Sequence, residues 1–432
     1  MRILHVINRY WPAVGGAERL VQEYAERQAA EGFDVTVFTT DANDLEYFWE
    51  RRKRRVERPT DHHNGVRIER FPVVHLPPNG LSFRVMRRLL GEIDRLPGTT
   101  PLLRRLSRFA PFVPGLEHAL HESPGRWDVV HGMNVALESL LFPALWHAHA
   151  AGAPFLVSPL LHLGESERSL VRRYYTMKHQ IGLIRQAEAV LVQTPSEGRY
   201  LVDRGVSAER LVESGAGIDP AQAVGGDGAA FRRRHGIDGP IVFHVGAMAL
   251  DKGTFHLVEA MELLWARGRA ATLVLAGTPM AQFERFWAGR CAETKRRTRL
   301  LGRISDEEKR DLFAAGDVFA MPSRTDSFGI VFLEAWLSGK PVVAAAAGGV
   351  PDVVEHERGG LVVPFGDVGA IAAAIERLLA DPELGRRLAE HGAQRTRERW
   401  TWEQVYRRVR PAFLRGGHER LGLARRAMLR RE

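Results

Sequence analysis

Three stretches of this chain bring together residue types that handle anions and hydroxyl groups. Gly15-Gly16-Ala17-Glu18 sets two glycines at the start of an apolar-periodic segment. Backbone amides at such a helix start can approach a phosphate, and the helix dipole favours negative charge there. A glycine turn used only for close packing would read the same. Gly246-Ala247-Met248-Ala249-Leu250-Asp251-Lys252-Gly253 places a lysine at another helix start, in a chain with only six lysines. A cation at that end is locally unfavourable, and a bound anion accounts for it; a lysine pointing into solvent is the competing reading. In the third stretch, Pro322 to Ala335, Asp326 and Glu334 flank the amides near Phe328, Gly329 and Ile330, with Arg324 and Ser327 alongside. Carboxylates accept hydrogen bonds from sugar hydroxyls, and amides take phosphate oxygens. The pattern suits a ligand that carries both, although an acidic helix start over a core of Phe328 and Leu333 has the same letters.

These stretches need a scaffold, and hydrophobic patterning supplies one. Arg2 to Ile7 reads as a strand, Ala17 to Glu31 as a helix stopped by Gly32, and Asp34 to Thr39 as a second strand, a βαβ unit. Residues 41–125 interrupt the rhythm. Within them Val66 to Phe71 is a strand, and Leu81 to Leu96 is amphipathic, with Met86, Leu89, Leu90, Ile93 and Leu96 at helical spacing. Strands then follow at Trp127–His131, Ala153–Ser158, Ala189–Gln193 and Leu211–Ser214, with helices at Leu137–Ala150 and Arg168–Ala187. Residues 220–240, rich in Gly and Pro, read as a linker. A second series has strands at Ile241–Val245, Ala271–Leu275, Val318–Met321, Pro341–Ala345 and Leu361–Val363. Its helices begin near Lys252, Pro279, Asp306, Gly329 and Asp367. The expected fold is α/β, with two doubly wound, Rossmann-like domains and a ligand crevice at the C-terminal ends of their strands. The first would span 1–220 plus about 400–432, the second 221–399, with a final helix from Thr401 crossing back to the first.

Composition narrows the function classes. One cysteine, Cys291, in 432 residues excludes a disulfide framework and a multi-thiolate zinc site. No apolar run reaches the roughly 18 residues needed to span a bilayer, and the N-terminus lacks a signal-peptide apolar core, so a cytoplasmic protein is expected. The formal charge is +9, unevenly spread: residues 407–432 carry net +7, and 51–58 and 84–108 carry +5 each. The remainder is acidic. Such local fields attract anionic partners. Leu81 to Leu96, Leu102 to Phe109 and the Arg-rich tail predict contact with an anionic membrane, peripheral at the inner face; an apolar side packed on the domain is the alternative. Nucleic acid is not expected, because the basic runs lack interleaved aromatics.

Together the motifs resemble the family-4 group of retaining glycosyltransferases, which have the GT-B fold. The resemblance runs through Gly15-Gly16-Ala17-Glu18, Gly215-Ala216-Gly217-Ile218-Asp219, Lys252-Gly253, Pro322-Ser323, Phe328-Gly329, Glu334-Ala335, Gly339-Lys340-Pro341, Gly348-Gly349-Val350-Pro351 and Gly360-Leu361-Val362-Val363. It implies transfer of a sugar from a nucleoside diphosphate donor to a glycan, glycolipid or small-molecule acceptor, with retention at the anomeric carbon. It also implies roles. Lys252 neutralises the leaving diphosphate, Glu334 binds the ribose hydroxyls, and Asp326 holds the donor sugar with Ser327, Phe328 and Gly329. Gly15, Gly16 and Gly246 approach the phosphates, and His162 lies near the transferred sugar. Neither a metal nor a cofactor is implied, since there is no Asp-x-Asp and no Cys/His cluster.

Two positions depart from the family pattern. Asp326 stands where glutamate is usual, and Ala247 where an arginine often adds a second charge against the diphosphate. Arg324, or failing it Arg303, is expected to compensate. The departures also permit a catalytically retired scaffold that binds partners or membrane. A nicotinamide oxidoreductase fits the α/β halves but lacks the G-x-G-x-x-G spacing.

Overall fold

The computed structural model describes residues 1–78, 81–123 and 127–428, with side chains followed to residue 415. The tail arginines Arg420, Arg425, Arg426, Arg430 and Arg431 therefore lie outside the described side chains. The chain divides into two compact units. One comprises Met1–Leu161, Leu170–Ser214 and the chain from Tyr406; the other comprises His162–Ser169 and Gly215–Val405.

The first unit is built on an eight-stranded sheet. Its strands are β1 (Arg2–Val6), β2 (Asp34–Thr40), β3 (Thr60–His63), β4 (Val66–Phe71), β5 (Val129–Met133), β6 (Phe155–Ser158), β7 (Ala189–Val192) and β8 (Leu211–Glu213). Their order is β3-β4-β2-β1-β5-β6-β7-β8. All neighbours are parallel except the β3–β4 hairpin. The central strands are apolar along their length because helices cover both faces. Two histidines break that rule. His5 on β1 and His131 on β5 are fully buried, with their Nδ1 atoms 2.9 Å apart. His5 Nε2 lies 2.7 Å from Gln28 Oε1, and His131 Nε2 lies 2.9 Å from Ser158 Oγ. One proton arrangement satisfies all three contacts. Ser158 donates to His131, His131 to His5, and His5 to Gln28, with both rings neutral. Burial lowers the His5 pKa to about 4 and holds His131 well below its ordinary value. His131, expected only as a strand-end residue, thus belongs to the core.

The insertion packs on this unit through helices Ser82–Ile93, Thr100–Ser107 and Pro114–His121. Leu90, Leu103, Ala110 and Met177 form a small core flanked by Phe83, Met86, Ile93 and Leu106. The amphipathic stretch is divided between two faces. Met86, Leu90 and Ile93 point inward, whereas Leu81, Val85, Leu89 and Leu96 are exposed on the face that carries Arg84, Arg88 and Arg95. Arg87 turns in, 3.0 Å from the fully buried Glu138, which also lies 2.7 Å from His179 Nε2. Burial alone would raise the Glu138 pKa, but Arg87 and His179 outweigh it and bring it to about 2.

The second unit has six parallel strands: β9 (Ile241–Val245), β10 (Thr272–Ala276), β11 (Thr298–Gly302), β12 (Val318–Met321), β13 (Val342–Ala345) and β14 (Leu361–Val363), in the order β11-β10-β9-β12-β13-β14. The order reverses between β9 and β12. The loops that leave their C-terminal ends at this switch point frame a ligand position.

Four details differ from the sequence reading. Residues 220–240 are not a free linker: helix Gly228–His235 packs on helix Asp306–Ala315, with Phe231 fully buried. Gly226 is needed there for contact, because a Cβ would stand 2.2 Å from the Arg310 carbonyl. The helix expected over 168–187 is two, Leu170–Tyr175 and Lys178–Ile184. The helix expected over Leu137–Ala150 begins only at Leu141, after a 3-10 turn at Val135–Leu137. Strands β3 and β11, both at sheet edges, were not anticipated.

Candidate active site

Loops 246–253 and 322–329 lie side by side because β9 and β12 pair in parallel. They are sewn together by backbone. Arg324 N donates to Asp251 O at 2.9 Å, and Ser323 Oγ donates to the same carbonyl at 3.2 Å. Gly253 has φ +73°, and a Cβ there would stand 2.1 Å from the Pro322 carbonyl oxygen, so the approach of the two loops requires glycine.

This approach brings Lys252 Nζ to 2.8 Å from Asp326 Oδ1. Burial would raise the Asp326 pKa, but the ammonium outweighs it and holds the carboxyl below its ordinary range. Asp326 Oδ2 is buried and has no hydrogen-bond partner. His162 lies in the field of both groups. Burial and the Lys252 charge lower its pKa to about 4, so the ring is neutral near pH 7, while Asp326 opposes the shift. Under the pair sits His244 on β9, fully buried, with Nδ1 3.3 Å from the Ala320 carbonyl; its pKa is also about 4, chiefly from burial. Sequence reasoning missed His244, because one histidine in an apolar strand gives no signal of what lies above it.

Gly329, with φ +86°, caps helix Ile330–Leu337. The first amides of a helix have no intrahelical acceptors, so Phe328, Gly329 and Ile330 turn a donor-rich end toward the loop that holds Asp326 and Ser327. Glu334 sits on this helix and accepts from Lys309 Nζ at 2.7 Å. Burial would lower the Lys309 pKa, but Glu334 outweighs it and raises it. Lys309 is the second partner that sequence reasoning did not name.

Arg324 is committed within the unit. Its Nη2 lies 2.7 Å from Asp251 Oδ1, and its Nη1 3.2 Å from Glu165 Oε1. The second contact fastens segment His162–Ser169, as does Gly348 N donating to Gly164 O at 2.8 Å. Arg303, the other expected compensating charge, donates to Thr278 Oγ1 at 2.8 Å. Gly246, at the end of β9, donates its N–H to Ala276 O at 2.9 Å.

In the first unit, Gly15 and Gly16 begin helix Gly16–Ala30, with Gly15 at the cap in an extended conformation. Glu18 folds back over this helix start. A Cβ on Gly15 would meet its carboxylate at 2.2 Å, and Arg9 pairs with it at 2.6 Å. Among the described residues no group of three His, Cys, Asp or Glu side chains could hold a metal ion, and no helix is long and apolar enough to cross a membrane.

Both parts of the chain match known families. Residues 15–215 match the glycosyl transferase 4-like domain, and residues 229–395 match glycosyl transferases group 1. The D-inositol 3-phosphate glycosyltransferase of Geodermatophilus obscurus is 28% identical over 96% of this chain and 88% of its own length. The alpha-D-kanosaminyltransferase of Streptomyces kanamyceticus is 37% identical over 38% of this chain, a match that spans only 43% of that relative. A GDP-mannose-dependent phosphatidylinositol monomannoside mannosyltransferase of Mycobacterium tuberculosis is 32% identical over 44% of this chain and 51% of its own length. Among solved structures, Anabaena HepE in complex with UDP and glucose superposes with a TM-score of 0.68 at 19% identity, covering 96% of this chain and 99% of that one. Sucrose-phosphate synthase of Thermosynechococcus elongatus gives 0.69 at 23% identity, covering 96% and 98%.

The two doubly wound units and the two matched domains define a GT-B glycosyltransferase. The chain belongs to the group 1, or family-4, glycosyltransferases, retaining enzymes that use nucleotide-sugar donors.

Proposed function

We propose that the enzyme moves a hexosyl group from a nucleoside diphosphate donor to an acceptor hydroxyl in cell-envelope, polysaccharide or glycolipid biosynthesis. The observation that carries this reading is the Lys252–Asp326 pair, with the neutral His162 beside it, at the switch point of the second unit. As the glycosidic bond breaks, positive charge grows on the sugar and negative charge on the diphosphate. Lys252 and the amides at the start of helix Ile330–Leu337 stabilise the diphosphate. Asp326, kept ionised, accepts from donor-sugar hydroxyls through the oxygen that has no protein partner. Glu334, oriented by Lys309, accepts from the ribose hydroxyls. His162 offers a neutral hydrogen-bonding group to the sugar. Arg324 serves by ordering the segment that carries His162. Attack from the face of the departing phosphate accounts for retention without a covalent intermediate. A glycosyl adduct on the protein, seen by mass spectrometry during turnover, would overturn that mechanism.

Two of the relatives are named for inositol phosphate and phosphatidylinositol mannoside chemistry, which supports a polar, phosphate-bearing or lipid-linked acceptor here. The exposed face with Leu81, Val85, Leu89 and Leu96 among Arg84, Arg88 and Arg95 supports peripheral binding to an anionic membrane. Flotation with anionic vesicles that is lost at high salt or with neutral lipid is the expected result.

A thermal-shift panel with UDP, GDP, ADP, TDP and CMP tests the donor assignment. A nucleotide at a hundredfold its Kd adds about 2.7 kcal/mol to the state that binds it. One diphosphate is expected to stand out; no shift with any of them, and no donor hydrolysis, would overturn the reading.

A further inference from the structure

The turn that leads to His162 is held from two sides. It follows β6, and its first residues are tied to the loop after β5: Asn134 N donates to Ser158 O at 3.0 Å, and Val135 N to Pro159 O at 3.1 Å. Leu160 comes next with φ +55°, in the left-handed region that bulky residues rarely adopt. Leu161 N then donates to Glu197 Oε1 at 2.8 Å, while Gln193 N, just after β7, donates to Glu197 Oε2 at 2.7 Å. His162 is the next residue, and the chain enters the second unit there. Beyond it the segment is fastened by Arg324 to Glu165 and by Gly348 N to Gly164 O.

Glu197 is 2% exposed, and no cation pairs with it among the described residues. Burial works against its charged form. A carboxylate nevertheless has a property that this place uses. It offers two acceptors and no donor, and here it bonds one amide from each of two loops. Glutamine would bond one amide and turn an N–H against the other. The helix that carries Glu197 does not need the carboxylate, because Thr194 already caps its start. The turn does need it. A left-handed leucine persists only where its surroundings over-determine it, and such residues gather at functional sites.

We infer that Glu197 is a positioning residue for His162, an inference that rests on the transferase reading above. Its carboxylate fixes the Leu161 peptide, and with it the Cα from which the His162 imidazole is presented to the donor sugar beside Lys252 and Asp326. Glu197 itself is buried and acts only through that peptide. Its loss should therefore lower the rate and spare donor affinity.

A double-mutant cycle on the full chain separates positioning from general stability. Hydrolysis of UDP-glucose and GDP-mannose and the nucleotide-dependent thermal shift are measured for Glu197→Gln, His162→Ala and the pair. Glu197→Gln should lower kcat by roughly 10- to 100-fold, the effect of a misplacement of about 1 Å. The donor KM and the nucleotide shift should be kept. In the His162→Ala background the same change should cost less than about twofold. Glu197→Asp keeps the charge but is one methylene short. It should give a smaller loss with the same dependence on His162, and it carries the test if Glu197→Gln does not fold. Equal losses in both backgrounds, or no loss in either, overturn the assignment. The imidazole NMR signal of His162, identified by its absence in His162→Ala, gives a readout that needs no turnover. It should move in Glu197→Gln, whereas that of His391, paired with Glu355 at 3.0 Å, should stay in place. A moved signal in a protein with neither hydrolysis nor nucleotide shift would keep the positioning role and reject the transferase reading; hydrolysis with an unmoved signal would do the reverse.

Discussion

Lys252 Nζ and Asp326 Oδ1 lie 2.8 Å apart, so a cation from the loop after β9 and an anion from the loop after β12 are held in one position by each other. Both side chains are largely withdrawn from solvent. Their charges are therefore worth more to each other, and to a charged substrate, than they would be on the surface.

Lys252→Ala should lower kcat by roughly 10²- to 10³-fold, the usual loss when one preorganised charge-stabilising group is removed. The donor KM should change less. Lys252→Ala should also lower stability, because Asp326 is left buried without its partner. Lys252→Ala/Asp326→Asn should recover much of that stability and none of the rate. Initial-rate assays and urea melts on the single and double variants separate the two effects.

Glu334→Gln keeps the shape and removes the charge that faces Lys309. If the carboxylate accepts from the ribose, the donor KM should rise roughly 10- to 100-fold, the range for a hydrogen bond to a charged group. A Ser338→Ala control at the C-terminal cap of the same helix should leave KM unchanged.

Stability should fall on mild acidification. His5, His131 and His244 are buried and neutral, and all have pKa values lowered in the folded state, to about 4 for His5 and His244. The unfolded chain takes up their protons below about pH 6.5, so this stability is lost as pH falls from there through 4. Glu197 acts in the opposite sense. Burial raises its pKa to about 7, against the Leu161 and Gln193 amides that it accepts from. It contributes stability at low pH that is lost as pH rises from about 4.5 to 7. With His162 also lowered to about 4, and Glu138 and Asp326 held low, the balance is a net loss toward acid. Glu197→Gln should steepen it. Urea midpoints between pH 7 and pH 4 provide the check, and a rise in stability toward pH 4.5 would contradict the assignment.

Gly329→Ala should impair donor binding before it impairs the fold. The new Cβ would stand 2.5 Å from the Phe332 ring, at a backbone φ of +86°. The helix start must shift, at a cost on the order of 1–3 kcal/mol. The nucleotide-dependent thermal shift should shrink more than the melting temperature without nucleotide.

The elements legible in sequence were those with strong local signals. Ser305 and Thr194 each stand three residues before a glutamate, the spacing of a capping residue, and they accept from Glu308 N and Glu197 N. The Glu197 carboxylate, however, does not bond the Thr194 amide as a capping box would. It reaches instead to Gln193 and to Leu161, a residue 36 positions earlier that no local pattern indicates. Hairpin β3–β4 did carry a signal, since Asn64-Gly65 adopts the positive-φ turn typical of that pair, but the polar strand before it hid the hairpin. The supposed linker failed for a physical reason. Its glycines permit backbone contact with a neighbouring helix, and composition alone reads the same letters as freedom. In the site, Lys252, Asp326 and Glu334 could be picked out by type and spacing. Their companions Lys309, Glu165 and His244 could not, because each is defined by a partner distant in sequence.

The chain passes from one unit to the other after Leu161, Ser169, Ser214 and Val405. Phe413, in the last helix, packs its ring 5.8 Å from His5 and 5.4 Å from His131. A gene cut once at residue 214 would therefore yield two incomplete halves. The upstream half would lack Phe413, the cover over its histidine pair, and the downstream half would lack His162 and Glu165. Swapping donor specificity between relatives by exchanging halves at one crossover would separate His162 from Lys252 and Asp326. A chimera with junctions at all four crossings would keep each cluster within one parent.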